Sequence, residues 1–86
     1  MNEKPMGRQD VLERQVGDEW MLYDAVGRAV HVLNAPARFV WQLCDGQHTL
    51  EDFVREALAQ FEGDEASVRQ DILECLQAFD RAGVLA

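Results

Sequence analysis

The sequence is poor in the residues from which catalytic and metal sites are built. Its 86 residues hold two histidines, two cysteines and a single serine, Ser67. No GxGxxG, phosphate-binding P-loop, CxxC or HExxH pattern occurs, so the spacings that cradle a phosphate or gather metal ligands are missing. His31 and His48 have no third donor at short spacing, which a metal site would need. Both read as ordinary surface or half-buried histidines, and no cofactor is expected. Cys44 and Cys75 sit 31 positions apart in apolar helical patterns, without the basic neighbours that activate a thiol. They read as small buried hydrophobes of a reduced compartment, which makes the cytoplasm the expected location.

Positive charge is scarce as well. Eight Lys and Arg stand against sixteen Asp and Glu, a net charge of −8. Nucleic-acid binding rests on cations meeting phosphates, and anionic membranes attract basic segments, so neither partner is expected. No apolar run approaches the roughly 18 residues of a membrane helix. The opening MNEKPMGRQD lacks the apolar centre of a signal peptide. The acidic stretches EDFVRE and GDEASVRQD sit at helix starts and exposed faces, where capping and solubility account for them. The expectation is therefore a protein that is not an enzyme.

What is present is a well-punctuated small domain. The hydrophobic content of 48% suits a globular chain. A domain of this size buries only about 60% of its unfolded surface, so its margin of stability is thin. Residues 1–9, polar and holding Pro5 and Gly7, read as a flexible tail, and 10–86 as the folded unit. VLERQV (11–16) alternates weakly, with Leu12 and Val16 on one side. Gly17-Asp18 is a two-residue hairpin turn. EWMLYDA (19–25) places Trp20 and Leu22 on one face and Met21 and Tyr23 on the other. Val26-Gly27-Arg28 is a second turn, where Gly27 can take a positive φ. AVHVL (29–33) is a third strand, which gives an antiparallel meander.

From Asn34 the period becomes helical. Asn34 is an N-cap and Pro36 fits a first turn, where its missing N–H has no partner. Val40, Leu43 and Cys44 form the stripe, with Gly46 as the stop. Thr49 opens a second helix with Asp52 completing a shortened capping box. Leu50, Phe53, Val54, Ala57, Leu58 and Phe61 keep helical spacing, and Gly63 ends it. The third helix starts near Asp64. Val68, Ile72, Cys75, Leu76 and Phe79 make its stripe, Leu73 and Leu76 widen it, and Gly83 stops it before an apolar Val84-Leu85 plug. The fold class expected is α+β, three strands followed by three helices.

A sheet with two edges can accept an extended peptide as a further strand. If AVHVL is an edge, a helix packed beside it makes a groove with one hydrogen-bonding wall and one apolar wall. The wide face of helix three is the candidate for that second wall, or else it is simply core.

Leu33-Asn34, Val40-Trp41 and Leu43-Cys44-Asp45-Gly46 resemble the PqqD family of peptide chaperones, the recognition element for precursors of ribosomally made, post-translationally modified peptides. Thr49-Leu50-Glu51-Asp52-Phe53 is similar to that family's second helix opening. Asp64-Glu65 through Val68, Asp71, Ile72, Leu73, Leu76, Phe79 and Gly83-Val84-Leu85 is similar to its third helix and ending. The resemblance implies a winged-helix-like domain. It also implies capture of a precursor's leader segment beside the third strand and delivery to a modifying enzyme, often a radical S-adenosylmethionine maturase. Carried over by position, the peptide-binding residues would be Ala29, Val30, His31, Val32 and Leu33, facing some of Arg69, Ile72, Leu73, Leu76 and Asp80. A winged-helix DNA-binding domain is the alternative, though residues 64–81 hold five acids against two arginines. A regulatory subunit without a peptide client is a third reading. The open edge and small size also permit a homodimer.

Overall fold

The structure is a computed structural model that describes residues 3–86. Strands β1 (Val11–Val16), β2 (Glu19–Asp24) and β3 (Ala29–Leu33) form one antiparallel sheet in the order β1-β2-β3, and helices α1 (Ala35–Gln42), α2 (Leu50–Gln60) and α3 (Glu65–Ala82) follow. This is the α+β arrangement expected from the sequence, three strands then three helices, in the winged-helix-like form that the family resemblance implies.

The register explains the two faces of the sheet. Glu13, Leu22 and His31 form one row and Leu12, Tyr23 and Val30 the next. Cross-strand partners share a face, so Val11, Trp20, Leu22, Asp24, His31 and Leu33 turn towards the helices. Leu12 and Val16 do lie on one side, but it is the solvent side, where they are 48% and 53% exposed. Val11 takes the buried position instead.

The helices start where the caps dictate. Asn34, Thr49 and Asp64 each accept a hydrogen bond from a first-turn N–H, and Thr49 with Asp52 completes a capping box. Each such cap contributes about 1 kcal/mol. Leu22, Phe53 and Val84 are completely enclosed at the centre of the core, with Val40, Val54, Ile72, Leu76 and Phe79 around them. Val84 thus forms the plug expected behind Gly83, which closes α3 in the left-handed conformation at φ 76°.

Three local expectations change. In the β2–β3 turn the positive φ belongs to Arg28, at 54°, and not to Gly27. Gly27 is required for another reason: a Cβ there would lie 2.5 Å from Asp24 Oδ2. Helix α1 ends at Gln42 with Leu43 as its cap, so Gly46 belongs to the loop beyond. Helix α2 ends at Gln60, before Gly63, and Phe61 turns out to meet Phe39 edge-on at 5.2 Å between ring centres.

The largest correction concerns the tail. Met1 and Asn2 lie outside the described residues, but the segment from Pro5 to Arg8 is docked. Gly7 N–H donates to Cys44 O at 2.9 Å, Arg8 N–H to Val84 O at 2.8 Å, and Ala86 N–H to Met6 O at 2.7 Å. Gly7 lies flat on the indole of Trp41, so close that a Cβ would stand 2.5 Å from the ring. Polar composition concealed this, because the segment is held by backbone hydrogen bonds and an absent side chain rather than by an apolar stripe.

Candidate functional site

Strand β3 has no partner on its outer side among the described residues. The β1–β2 hairpin closes with Val16 opposite Glu19 across two residues, a pair that exchanges both backbone hydrogen bonds in such a turn. Bonded and non-bonded pairs then alternate along the ladder. Residues 20, 22 and 24 direct their backbone groups at β3, where they meet Leu33, His31 and Ala29. The free N–H and C=O groups of β3 therefore fall on Val30 and Val32. Their side chains stand on the solvent face, 55% and 60% exposed.

Beside this edge runs an open groove. Its sheet wall is His31, Val32 and Leu33, its floor includes Asn34, Pro36, Ala37 and Phe79, and its helical wall is Asp71, Glu74, Cys75, Ala78 and Ala82 of α3. These wall residues recur at three- and four-residue spacing, so they share one face of the helix. Two of them are alanines, which lets a chain approach the helix closely. Pro36, Asp71 and Cys75 also line an apolar pocket of about 220 Å³ with Phe39, Val40 and Ile72, so groove and pocket adjoin.

Of the strand residues expected to bind peptide, His31, Val32 and Leu33 line the groove, while Ala29 and Val30 do not; of the expected helical residues, none of Arg69, Ile72, Leu73, Leu76 and Asp80 lines it. Ile72 is buried beneath the pocket. Arg69, Leu73, Leu76 and Asp80 lie on the opposite side of α3 from the groove. Arg69 forms a two-pronged ion pair with Glu51 of α2, at 2.6 and 2.9 Å, and reaches Glu65 at 3.2 Å. Leu73 and Leu76 line a recess with Pro5 and Leu50. Asp80 is exposed and outside the groove. The wide stripe is thus partly cover for α2 and the docked N-terminal segment. The helical residues that do line the groove, Asp71, Glu74, Ala78 and Ala82, are small or acidic and form no apolar stripe. Their signal was the series 71, 74, 75, 78 and 82, a helical face almost free of bulk.

The polar groups of the region have distinct environments. Arg38 stacks over the Trp20 ring, 3.5 Å from its centre, and approaches Glu13 at 3.7 Å beneath the sheet. His31 Nε2 is shut from solvent and has no hydrogen-bond partner among the described residues. The Cys75 thiol is shifted upwards, first by burial and then by Asp71 and Glu74 nearby. Such a shift leaves it protonated and poorly nucleophilic at neutral pH. No group of three or more His, Cys, Asp or Glu side chains positioned to hold a metal occurs among the described residues. No described helix is long and apolar enough to cross a membrane. What the arrangement offers is an extended backbone edge, an adjoining apolar pocket and an acidic wall.

Solved structures share this architecture. One is TbiB1 in complex with the TbiA(beta) leader peptide, 21% identical, with 93% of each chain covered and a TM-score of 0.81. Another is lasso peptide synthetase B1 complexed with the leader peptide, 17% identical, covering 96% of this chain and 98% of that one, with a TM-score of 0.84. At these identities the likeness establishes the fold. No curated protein matches the sequence. The family model described as coenzyme PQQ synthesis protein D (PqqD) matches residues 19–85, from the second strand to the residue after the buried Val84, and the chain belongs to that family.

Proposed function

We propose that this protein is a non-catalytic adaptor that captures the leader segment of a ribosomally made precursor peptide and presents it to a modifying enzyme. The observation that carries this reading is the open edge of β3, with its free backbone groups on Val30 and Val32, running beside a lined groove. An extended peptide added there gains main-chain hydrogen bonds from β3, and alternate side chains enter the groove. Membership of the PqqD family supports the reading, as do two structures of the same fold that hold leader peptides. The enzyme served is a peptide maturase, of the radical S-adenosylmethionine class by resemblance to the family, and the setting is the cytoplasm. The same edge can pair with a second copy, so the free protein has a route to a homodimer that peptide would compete away. Duplex DNA is disfavoured by the acidic α3 and the net charge of −8.

The test begins with a search of the neighbouring genes for short peptides. The 15N-labelled protein is titrated with synthetic leader segments of those short peptides. Binding should shift the resonances of residues 29–33 and 71–82 and slow amide exchange at Val30 and Val32. Val32→Pro removes an edge donor without touching the β2 pairing, and should abolish binding while the domain remains folded. Binding that leaves β3 unprotected, or survives Val32→Pro, overturns the reading.

A further inference from the structure

The acidic side chains of the groove wall have no counter-charge among the described residues. Asp71 and Glu74 lie one turn apart on its helical wall and are both exposed. Neither forms an ion pair among the described residues, whereas Glu51, Glu65, Asp52, Asp10 and Asp24 all do. Glu74 receives only a neutral hydrogen bond, from the Gln70 amide at 3.2 Å. No Lys or Arg lines either the groove or the adjoining pocket.

Strand geometry says which residues of a captured chain meet this wall. Cross-strand partners point to the same face of a sheet. The residues that pair with His31 and Leu33 therefore turn inwards with them, towards α3, and the residues that pair with Val30 and Val32 turn outwards. Inward positions are two residues apart, about 7 Å along the strand. One inward position can occupy the apolar pocket while the next faces Asp71 and Glu74, because Asp71 and Cys75 border both spaces. A carboxylate at the second position would be repelled. A neutral residue would leave two charges partly desolvated without return, and a cation would pair with both.

We propose that the acidic wall formed by Asp71 and Glu74 makes this site selective for an extended segment carrying a lysine or arginine two residues from an apolar anchor. The inference rests on the peptide-capture reading and names the class of sequence captured. The cation adds selectivity and faster encounter, while the backbone edge and the apolar pocket supply most of the affinity.

A phage-displayed library of random 12-residue peptides, panned on the wild-type protein and on an Asp71→Asn/Glu74→Gln variant, tests it. Both substitutions lie on exposed helix positions, so the variant should fold. Wild-type selections should enrich Lys or Arg at a two-residue offset from an apolar side chain. Variant selections should keep the apolar anchor and lose the cation. A synthetic peptide from the wild-type selection should bind the variant about 3- to 10-fold more weakly at low ionic strength, with the gap closing in high salt. Asp18→Asn/Asp80→Asn, which removes the same charge away from the acidic wall, should leave the preference unchanged. Absence of basic enrichment on the wild type overturns the inference and leaves peptide capture standing. So does equal enrichment on the Asp71→Asn/Glu74→Gln variant, or equal loss with the Asp18→Asn/Asp80→Asn pair. Failure of any peptide to bind overturns both.

Discussion

Arg8 and Asp24, sixteen residues apart in the chain, meet in a two-pronged ion pair with both contacts at 3.1 Å. The same guanidinium donates to Gly83 O at 2.8 Å, so one side chain ties the N-terminal segment to β2 and to the end of α3. Removing it leaves a carboxylate that is almost wholly enclosed without its counter-charge, the costly way to break such a pair. Arg8→Ala should lower the melting temperature by about 5–10 °C, a large shift for a domain of this size. Differential scanning calorimetry measures it, and an unchanged melting temperature would show the clamp to be idle.

The same carboxylate predicts how stability responds to acid. Asp24 is held below its ordinary value of 3.8, first by the Gly27 N–H and then by Arg8, against an opposing effect of burial. Asp52 and Asp64 are lowered mainly by the backbone N–H groups they cap. A carboxyl group depressed in the folded state binds its proton more readily when unfolded, so stability falls as pH drops. The contribution is complete above the unfolded value near 3.8 and is lost as pH falls through the lower, folded values. Urea midpoints measured from pH 6 down to 2 should decline most steeply below about pH 4. Asp24→Asn should flatten that decline.

Gly27 should not tolerate a methyl group, although its φ is ordinary. The obstruction is the Asp24 carboxylate, 2.5 Å from where a Cβ would stand, while the Gly27 N–H binds Asp24 Oδ1 at 2.9 Å. Gly27→Ala should cost about 1–3 kcal/mol, the usual range for overpacking. In an Asp24→Ala background the cost should largely disappear. A double-mutant cycle read by urea unfolding distinguishes this from a backbone effect, which would persist.

The cysteines should differ in reactivity. Cys44 is buried, its thiol lies 3.3 Å from Val40 O, and burial pushes it up to about 12. Cys75 is only partly covered and borders the groove. Iodoacetamide at pH 8 should therefore modify Cys75 first, and a bound leader segment should slow that reaction. Peptide mapping by mass spectrometry follows both sites.

The sequence made the strand ends and helix starts legible, because Gly17-Asp18, Asn34, Thr49 and Asp64 act through local hydrogen bonds that need no tertiary information. Facing directions were harder to read. Strand β1 carries apolar residues on both sides, and only its register with β2 shows that Val11, not Leu12 or Val16, reaches the core. Helix α3 has two faces able to pack. One of them covers α2 and the docked N-terminal segment, and that segment is held by main-chain bonds and by the bare Cα of Gly7. Hydrophobic periodicity does not record interactions of that kind. The strand beside the groove was therefore legible in the sequence, and the face of α3 that lines the groove was not.

The bridge between Met6 and Ala86 makes the fold a closed ring in all but covalent bond. The groove depends on neighbours around that ring and not on where the ring is cut. A circularly permuted chain, joined across this bridge by a short linker and reopened in the exposed Gly17-Asp18 turn, should keep β3 and α3 facing each other. Retention of the groove in such a permutant, read from β3 and α3 amide shifts, would show that its shape rests on packing and not on chain order.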